Sequence, residues 1–297
     1  MEYDEFGLFH ENAAEFGLPW EGPPVVERRA VSVAPDRRLS ALVWGTSTPQ
    51  FVLLHGGGQN AHTWDTVALA LARPLVAPDL PGHGHSDDAA PTAALRPRAF
   101  ADDVASVVKQ LAGDARLVVG MSLGGLTAIA LAARYPRLVR RLAIVDVTPG
   151  VNRSKASDIV SFLAGPESFA SFDEILERTI RFNPTRSQSS LRRGVLHNAV
   201  QREDGRWAWR HQRGSQAVYE RGTQIDFDAL WDDLAAVTSP VLLVTGGNSP
   251  VVDDADRDAF LQRQPRARIE QIDAAGHSIQ GDRPLELAAL LAEFSDE

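Results

Sequence analysis

A serine stands between two glycines where an apolar strand is predicted to turn into a helix. The sequence reads Gly120-Met121-Ser122-Leu123-Gly124, between apolar residues 117–119 and a helix-compatible segment at 126–134. Such a turn lifts the hydroxyl clear of the sheet, and side chains at the glycine positions would collide with nearby backbone. The N–H of Leu123, at the helix N-terminus, is placed to stabilise an oxyanion. We therefore predict that Ser122 is a nucleophile.

A glycine-rich loop follows the strand predicted at 51–54. It reads His55-Gly56-Gly57-Gly58, and such a loop lets backbone N–H groups approach a ligand closely. The loop lacks the lysine of phosphate-binding loops, and the dinucleotide fingerprint is also absent. We expect the N–H of Gly57 to join that of Leu123 in an oxyanion hole. His55 is a candidate base, although we favour a structural role in which it fixes the loop by hydrogen bonding.

These segments resemble those of the α/β-hydrolase fold, in its serine carboxylesterase-like branch. Four stretches carry the resemblance: the loop at 55–58, the run Asp79-Leu80-Pro81-Gly82-His83-Gly84-His85-Ser86, the turn at 120–124, and Gly276-His277-Ser278-Ile279. The resemblance covers about residues 25–295. It implies a mostly parallel eight-stranded α/β sheet flanked by helices, with an inserted helical lid. It also implies a Ser-acid-His triad in that chain order.

The resemblance implies that His277 is the general base, because it follows the last strand, predicted at 268–272. The spacing of His83 and His85 is compatible with a metal pair. However, no third ligand is evident, and the family uses this loop structurally. We therefore expect no metal site and no organic cofactor.

The acid of the triad departs from the family's commonest pattern. The turn after the seventh strand normally carries it, but that turn here reads Gly246-Gly247-Asn248-Ser249-Pro250, with Ser249 in the acid's place. Some branches place the acid at the end of the sixth strand, which here gives Asp146. A carboxylate there holds the tautomer of the histidine and stabilises its imidazolium. Asp253 and Asp254 remain rivals, and Ser249 is expected to hydrogen-bond the histidine or Asp146.

Residues beside the serine and the glycine loop are candidates for contacts with substrate. Met121 flanks Ser122 and is expected to face an apolar group. Gly58 of the glycine loop is a further candidate. The segment after the loop is expected to line the substrate entrance with Gln59, Asn60, His62 and Trp64.

The strands and helices predicted from the sequence must position these residues. A hairpin is predicted at 25–33 and 39–44, and short apolar runs predict strands at 51–54, 75–77, 117–119, 142–145 and 241–244, with a more polar strand at 268–272. Helix-compatible segments lie between them, at 64–73, 98–112, 123–134, 254–264 and 284–294. Strands that alternate with helices indicate βαβ units and a buried parallel sheet.

We divide the chain into three parts. Residues 1–24 form an N-terminal arm, partly helical, and residues 25–147 and 239–297 form the core. Residues 148–238 show no convincing strand and are too long for a simple connection. We interpret them as an inserted helical lid.

Composition excludes several classes of function. The 297 residues carry a net charge of -9, which disfavours nucleic-acid binding. The apolar runs are too short to span a bilayer, and the acidic start lacks the features of a signal peptide. The absence of cysteine excludes disulfides and thiolate chemistry, and it fits the reducing cytoplasm where we expect the protein. A monomer and a homodimer are equally compatible.

These residues predict a serine hydrolase that acts on a small or medium apolar carboxylic ester or lactone through an acyl-enzyme. A serine in the turn argues against epoxide hydrolases and haloalkane dehalogenases, which use aspartate there. The nearest alternative is a carbon–carbon bond hydrolase of ring-cleavage products. A proline aminopeptidase, a perhydrolase and a non-catalytic ligand receptor on the same fold are further alternatives.

Overall fold

The computed structural model describes residues 3–89, 96–152, 154–211 and 225–297. Ten strands lie in these ranges: β1 (Val26–Ala34), β2 (Arg37–Trp44), β3 (Phe51–Leu54), β4 (Leu75–Pro78), β5 (Leu117–Met121), β6 (Leu142–Val145), β7 (Ala199–Gln201), β8 (Trp207–Trp209), β9 (Val241–Gly246) and β10 (Arg268–Ile272).

Eight of these strands form one sheet in the order β1-β2-β4-β3-β5-β6-β9-β10. The β1–β2 and β2–β4 pairs are antiparallel, and all other neighbours in the sheet are parallel. Every residue of β3, β4, β5, β6 and β9 is buried, because helices cover both faces. The predicted α/β-hydrolase sheet, including its eight strands and its initial hairpin, is confirmed.

Eleven α-helices lie in the described ranges: α1 (Phe9–Glu15), α2 (Asp65–Leu71), α3 (Pro97–Leu111), α4 (Leu123–Arg134), α5 (Ser157–Leu163), α6 (Phe172–Phe182), α7 (Gln188–Asn198), α8 (Phe227–Ala236), α9 (Asp254–Arg263), α10 (Ile279–Asp282) and α11 (Pro284–Asp296). Helices α3, α4, α8 and α9 pack on one face of the sheet, and α1, α2 and α11 pack on the other. None of the described helices is long and apolar enough to cross a membrane.

The inserted region differs from the expectation in two respects. It contains the antiparallel pair β7–β8, although we expected no strand there. Each of these strands has three residues, which is too short for an alternating pattern to be recognisable in the sequence. The last helix, α8, buries Leu230 and Leu234 in the main core. Residues 153 and 212–224 of the expected lid lie outside the described ranges.

The N-terminal arm packs firmly on the rest of the protein. Its helix α1 buries Phe9 against Trp44, with ring centroids 4.9 Å apart. Arg193 of α7, itself buried, donates to Asn12 and pairs with Glu15. The arm therefore joins the core to the inserted region.

Candidate active site

Ser122 occupies a strained turn between β5 and α4. Its backbone has φ +51° and ψ -119°, a conformation that costs a non-glycine residue of the order of 1–3 kcal/mol. A Cβ placed on Gly120 would lie 2.2 Å from the carbonyl oxygen of Gly124, and one on Gly124 would lie 2.4 Å from that of Leu54. Both flanking positions therefore require glycine. The N–H of Ser122 donates to Val145 O at 3.1 Å, which ties the turn to β6.

The glycine loop after β3 lies beside the first turn of α4. A Cβ on Gly57 would be 3.8 Å from Leu123 Cδ2. Within the described chain, the N–H groups of Gly57 and Leu123 donate to no protein acceptor. Gly58 has φ +72°, and its N–H donates to His83 Nε2 at 3.1 Å. Gly57 and Leu123, but not Gly58, can therefore offer N–H groups to an oxyanion.

The two buried histidines near this loop are fixed in neutral forms. His55 donates from Nδ1 to a backbone carbonyl and accepts the N–H of Leu80 at Nε2. His83 likewise donates from Nδ1 to a carbonyl and accepts the N–H of Gly58. Burial lowers the pKa of His55, and it lowers that of His83 to about 3. Neither ring has a free lone pair for a proton or for a metal ion.

Asp146 directly follows β6 and bonds His277. Its side chain is fully buried, and its φ of +52° turns the chain sharply at the strand's end. Asp146 Oδ2 lies 2.8 Å from His277 Nδ1, and Oδ1 accepts the N–H of Gly246 at 2.9 Å. The hydroxyl of Ser249 also donates to Oδ2. The structure thus brings these side chains together.

The rival carboxylates have other partners. Asp253 caps the N-terminus of α9 through a capping box with Asp256, and it pairs with Lys155 at 2.8 Å. Asp254 is almost fully exposed and pairs with Arg257. Neither side chain hydrogen-bonds His277.

Gln59 connects the glycine loop with the loop that carries His277. Its Oε1 accepts the N–H of Gly56 at 3.1 Å, and its Nε2 donates to Ser278 Oγ at 3.4 Å. A Cβ on Gly56 would lie 3.3 Å from Ser122 Cβ, so the serine is beside this connection. No hydrogen bond joins Ser122 to His277 in the described structure.

Known proteins with similar sequences place the chain in a family. A model of the alpha/beta hydrolase family matches residues 51–290. The chain belongs to the alpha/beta hydrolase family.

Individual relatives agree with this assignment. Esterase Rv0045c of Mycobacterium tuberculosis is 43% identical over 99% of this chain and 96% of its own. A structure of that esterase, from a study of its transition metal inhibition and structural refinement, has a TM-score of 0.87, 40% identity and full coverage of both chains. An sn-1-specific diacylglycerol lipase of Xenopus laevis is 28% identical over 83% of this chain and 79% of its own.

Trp64, expected at the substrate entrance, and Met121, expected to face an apolar group of the substrate, are both buried. Trp64 has no exposed surface and packs in the core between α2 and the sheet, because its large ring fills that face. Met121 is also buried, and its sulfur lies beneath Gly56, 2.6 Å from where a Cβ would be. Neither side chain lines the surface of the site.

Residues of the inserted region, which the sequence did not single out, reach the site. Leu163 of α5 lies over the glycine loop, since a Cβ on Gly58 would be 2.4 Å from its Cδ2. Asn198 donates to the carbonyl oxygen of Gly58. Arg186 donates to Ser278 O at 3.2 Å and pairs with Asp282, whose other oxygen accepts the N–H of Gly276. These contacts are distant in sequence, so no local pattern indicates them.

Proposed function

We propose that this hydrolase cleaves carboxylic esters, with Ser122 as nucleophile, His277 as general base and Asp146 as the acid that orients it. The observation that carries the proposal is the bond between buried Asp146 and His277 Nδ1, which leaves Nε2 as the proton acceptor. Such a carboxylate fixes the useful tautomer and stabilises the imidazolium that forms.

The reaction follows from these roles. When substrate binds, the Ser122 hydroxyl gives its proton to His277 Nε2 as Oγ attacks the acyl carbon. The N–H groups of Gly57 and Leu123 stabilise the resulting oxyanion. The imidazolium then protonates the leaving alcohol, and an acyl-enzyme remains. Water, activated by the neutral His277, attacks the acyl carbon and releases the acid.

We further propose a small or medium apolar acyl group, in an ester or a lactone. The apolar side chains of Leu123 and Leu163 lie beside the glycine loop, where an acyl chain would pass. Two relatives carry the names esterase and diacylglycerol lipase, which supports a carboxylic ester as the bond cleaved.

We also propose the division into an arm (1–24), a core (25–147 and 239–297) and a lid (148–238). Leu163 and Asn198, both in the inserted region, contact the glycine loop, as a lid over the site would. Because α8 packs with the core, the covering part of this lid comprises α5 to β8.

A p-nitrophenyl ester series of increasing acyl length tests the proposal. We expect turnover by the wild type and a loss of about 10⁴-fold or more in Ser122→Ala. Ser47→Ala, which removes an exposed hydroxyl, is the matched control and should remain active. Equal turnover by wild type and Ser122→Ala would refute the nucleophile. If the wild type turns over no ester, a dienol-ketone substrate tests the carbon–carbon alternative.

A further inference from the structure

A second group of titratable side chains lies inside the protein, away from Ser122. His62, Asp65 and His197 expose 2%, 4% and 3% of their side chains. His62 Nδ1 is 2.9 Å from Asp65 Oδ2, and His197 Nε2 is 3.7 Å from the same oxygen. One ligand atom from each residue lies within 4.8 Å of the other two. We call these three residues the buried cluster.

Two polar atoms of the buried cluster have no hydrogen-bond partner. These atoms are His197 Nε2 and Asp65 Oδ1, and both are inaccessible to solvent. Buried polar atoms are nearly always paired, because leaving one unpaired costs free energy. The unpaired nitrogen faces the carboxylate of Asp65 at a distance too long for a hydrogen bond. This arrangement suits a ligand that binds both groups.

We propose that the buried cluster binds a divalent transition-metal ion of the zinc class. Two imidazoles and a carboxylate favour zinc and its neighbours over magnesium or calcium, which prefer oxygen ligands. Tetrahedral bonds of about 2.1 Å place ligand atoms about 3.4 Å apart. The distances of 2.9 and 3.7 Å to Asp65 Oδ2 lie on either side of that value. Three ligands leave a fourth position for water.

Binding requires a local movement and the loss of one proton. The rings of His62 and His197 are stacked within 8°, with centroids 3.8 Å apart, so their lone pairs run parallel. His197 must tilt for both nitrogens to meet one ion. The ion replaces the proton between His62 Nδ1 and Asp65, and that proton leaves to solvent. Tyr3 Oη lies 2.6 Å from His197 Nδ1, and Nδ1 must donate in this bond so that Nε2 keeps a lone pair for the ion.

The buried cluster is connected to the glycine loop. The carbonyl oxygen of His197 accepts from Asn60 Nδ2 at 2.9 Å, and the next residue, Asn198, donates to Gly58 O. We therefore expect a movement of His197 to be passed through these bonds to the loop that includes Gly57. We infer that the bound ion inhibits hydrolysis. This inhibition, but not the binding itself, rests on the proposed ester hydrolysis.

Zinc binding is measured on the full chain after chelator treatment and dialysis. Calorimetric titration with zinc chloride should give one ion per chain in the wild type, and cobalt should give visible bands of tetrahedral coordination. Asp65→Asn and His197→Gln should each weaken binding by at least about tenfold. The matched controls are His10→Gln, an exposed histidine, and His277→Ala, and both should bind zinc as the wild type does.

The outcomes separate binding from its effect. Binding that is absent in the wild type, lost in His277→Ala, or unchanged in folded His197→Gln overturns the site. Circular dichroism establishes folding, and His197→Gln, which removes no charge, replaces Asp65→Asn if the latter fails to fold. Zinc should inhibit p-nitrophenyl ester turnover in wild type and not in His197→Gln. If the protein hydrolyses no ester, the binding titration still decides the site.

Discussion

Two histidine–carboxylate pairs in this protein share almost the same hydrogen bond. His277 Nδ1 lies 2.8 Å from Asp146 at the candidate site, and His62 Nδ1 lies 2.9 Å from Asp65 in the interior. Both carboxylates are buried. The pairs differ in the surroundings of the second ring nitrogen, Nε2.

His62 has its second nitrogen occupied. Nε2 lies 3.0 Å from Glu5 Oε1, and the ring is stacked on that of His197. Burial works to lower the pKa of His62, but Asp65 and Glu5 raise it to about 9. A ring that keeps its proton at neutral pH cannot accept one from a hydroxyl.

His277 has its second nitrogen free. Its side chain is 17% exposed, and Nε2 bonds no residue in the described chain. The comparison teaches that the histidine–carboxylate bond alone does not make a base. The pair becomes a candidate base only where Nε2 opens on a nucleophile.

Removal of each carboxylate charge should affect different properties. Asp146→Asn should lower ester turnover by about 10⁴-fold, because the histidine loses its tautomer and the imidazolium loses its counter-charge. Asp65→Asn should retain most turnover but lower the free energy of unfolding by about 3 kcal/mol, because it removes the more deeply buried of the two carboxylates that pair with the His62 charge. Steady-state kinetics and urea unfolding measure the two effects.

Asp253→Asn is the control for this pair of variants, since its side chain is half exposed and pairs with Lys155. It should change turnover little. A larger loss of turnover in Asp253→Asn than in Asp146→Asn would move the acid to the segment after β9.

A second carboxylate position should restore part of the lost turnover. Ser249 donates to Asp146, and it stands where many family members carry the acid. In the Asp146→Asn background, Ser249→Asp should raise turnover by about tenfold, a change of about 1.4 kcal/mol in the barrier. The Ser249→Ala variant in the same background controls for loss of the hydroxyl. If turnover does not recover, a carboxylate at position 249 does not orient His277.

Two arginines of the inserted region should differ in the property that they affect. Arg186 holds the loop of His277, so Arg186→Ala should lower turnover by about tenfold, the value of one charge-assisted hydrogen bond. Arg193 pairs with Glu15 in the arm, so Arg193→Ala should destabilise by about 3 kcal/mol with little effect on turnover. Kinetics and urea unfolding on both variants test this. Equal effects on turnover would show that the inserted region acts as one unit.

The sequence predicts those features that local physics fixes. The strands of the sheet can be predicted from the sequence because helices bury both faces of the sheet, so the strand residues are continuously apolar. The turn at Ser122 can be predicted because it requires glycine at positions 120 and 124. A Cβ on Gly120 or Gly124 would lie only 2.2 or 2.4 Å from a backbone oxygen. The place of Asp146 is predictable because it directly follows the apolar run at 142–145, which predicts β6, and its role as the acid stays a proposal.

Contacts between distant segments were not predictable in the same way. Trp64 follows the glycine loop, but packing against the sheet turns its ring into the core. Asp65 lies near His197 because the inserted region packs beside α2, and no spacing in the sequence predicts this contact. The hairpin β7–β8 depends on pairing between two very short strands.

His83 differs from both His62 and His277 because it is buried in the neutral form. Its predicted effect, on the pH dependence of the free energy of unfolding, is the smallest. Its folded pKa of about 3 lies below the unfolded value of about 6.5, because the buried ring is held neutral. Between pH 6 and pH 4 the unfolded chain binds a proton there and the folded chain does not. This site therefore lowers the free energy of unfolding by about 1.4 kcal/mol for each pH unit of acidification.

His83→Gln keeps a donor and an acceptor but does not titrate. Its free energy of unfolding should therefore fall less steeply between pH 6 and pH 4 than that of the wild type. Urea unfolding at several pH values measures the two slopes. Identical slopes would mean that His83 is protonated in the folded protein. In that case Nε2 could not accept the N–H of Gly58, and this support of the glycine loop would be lost.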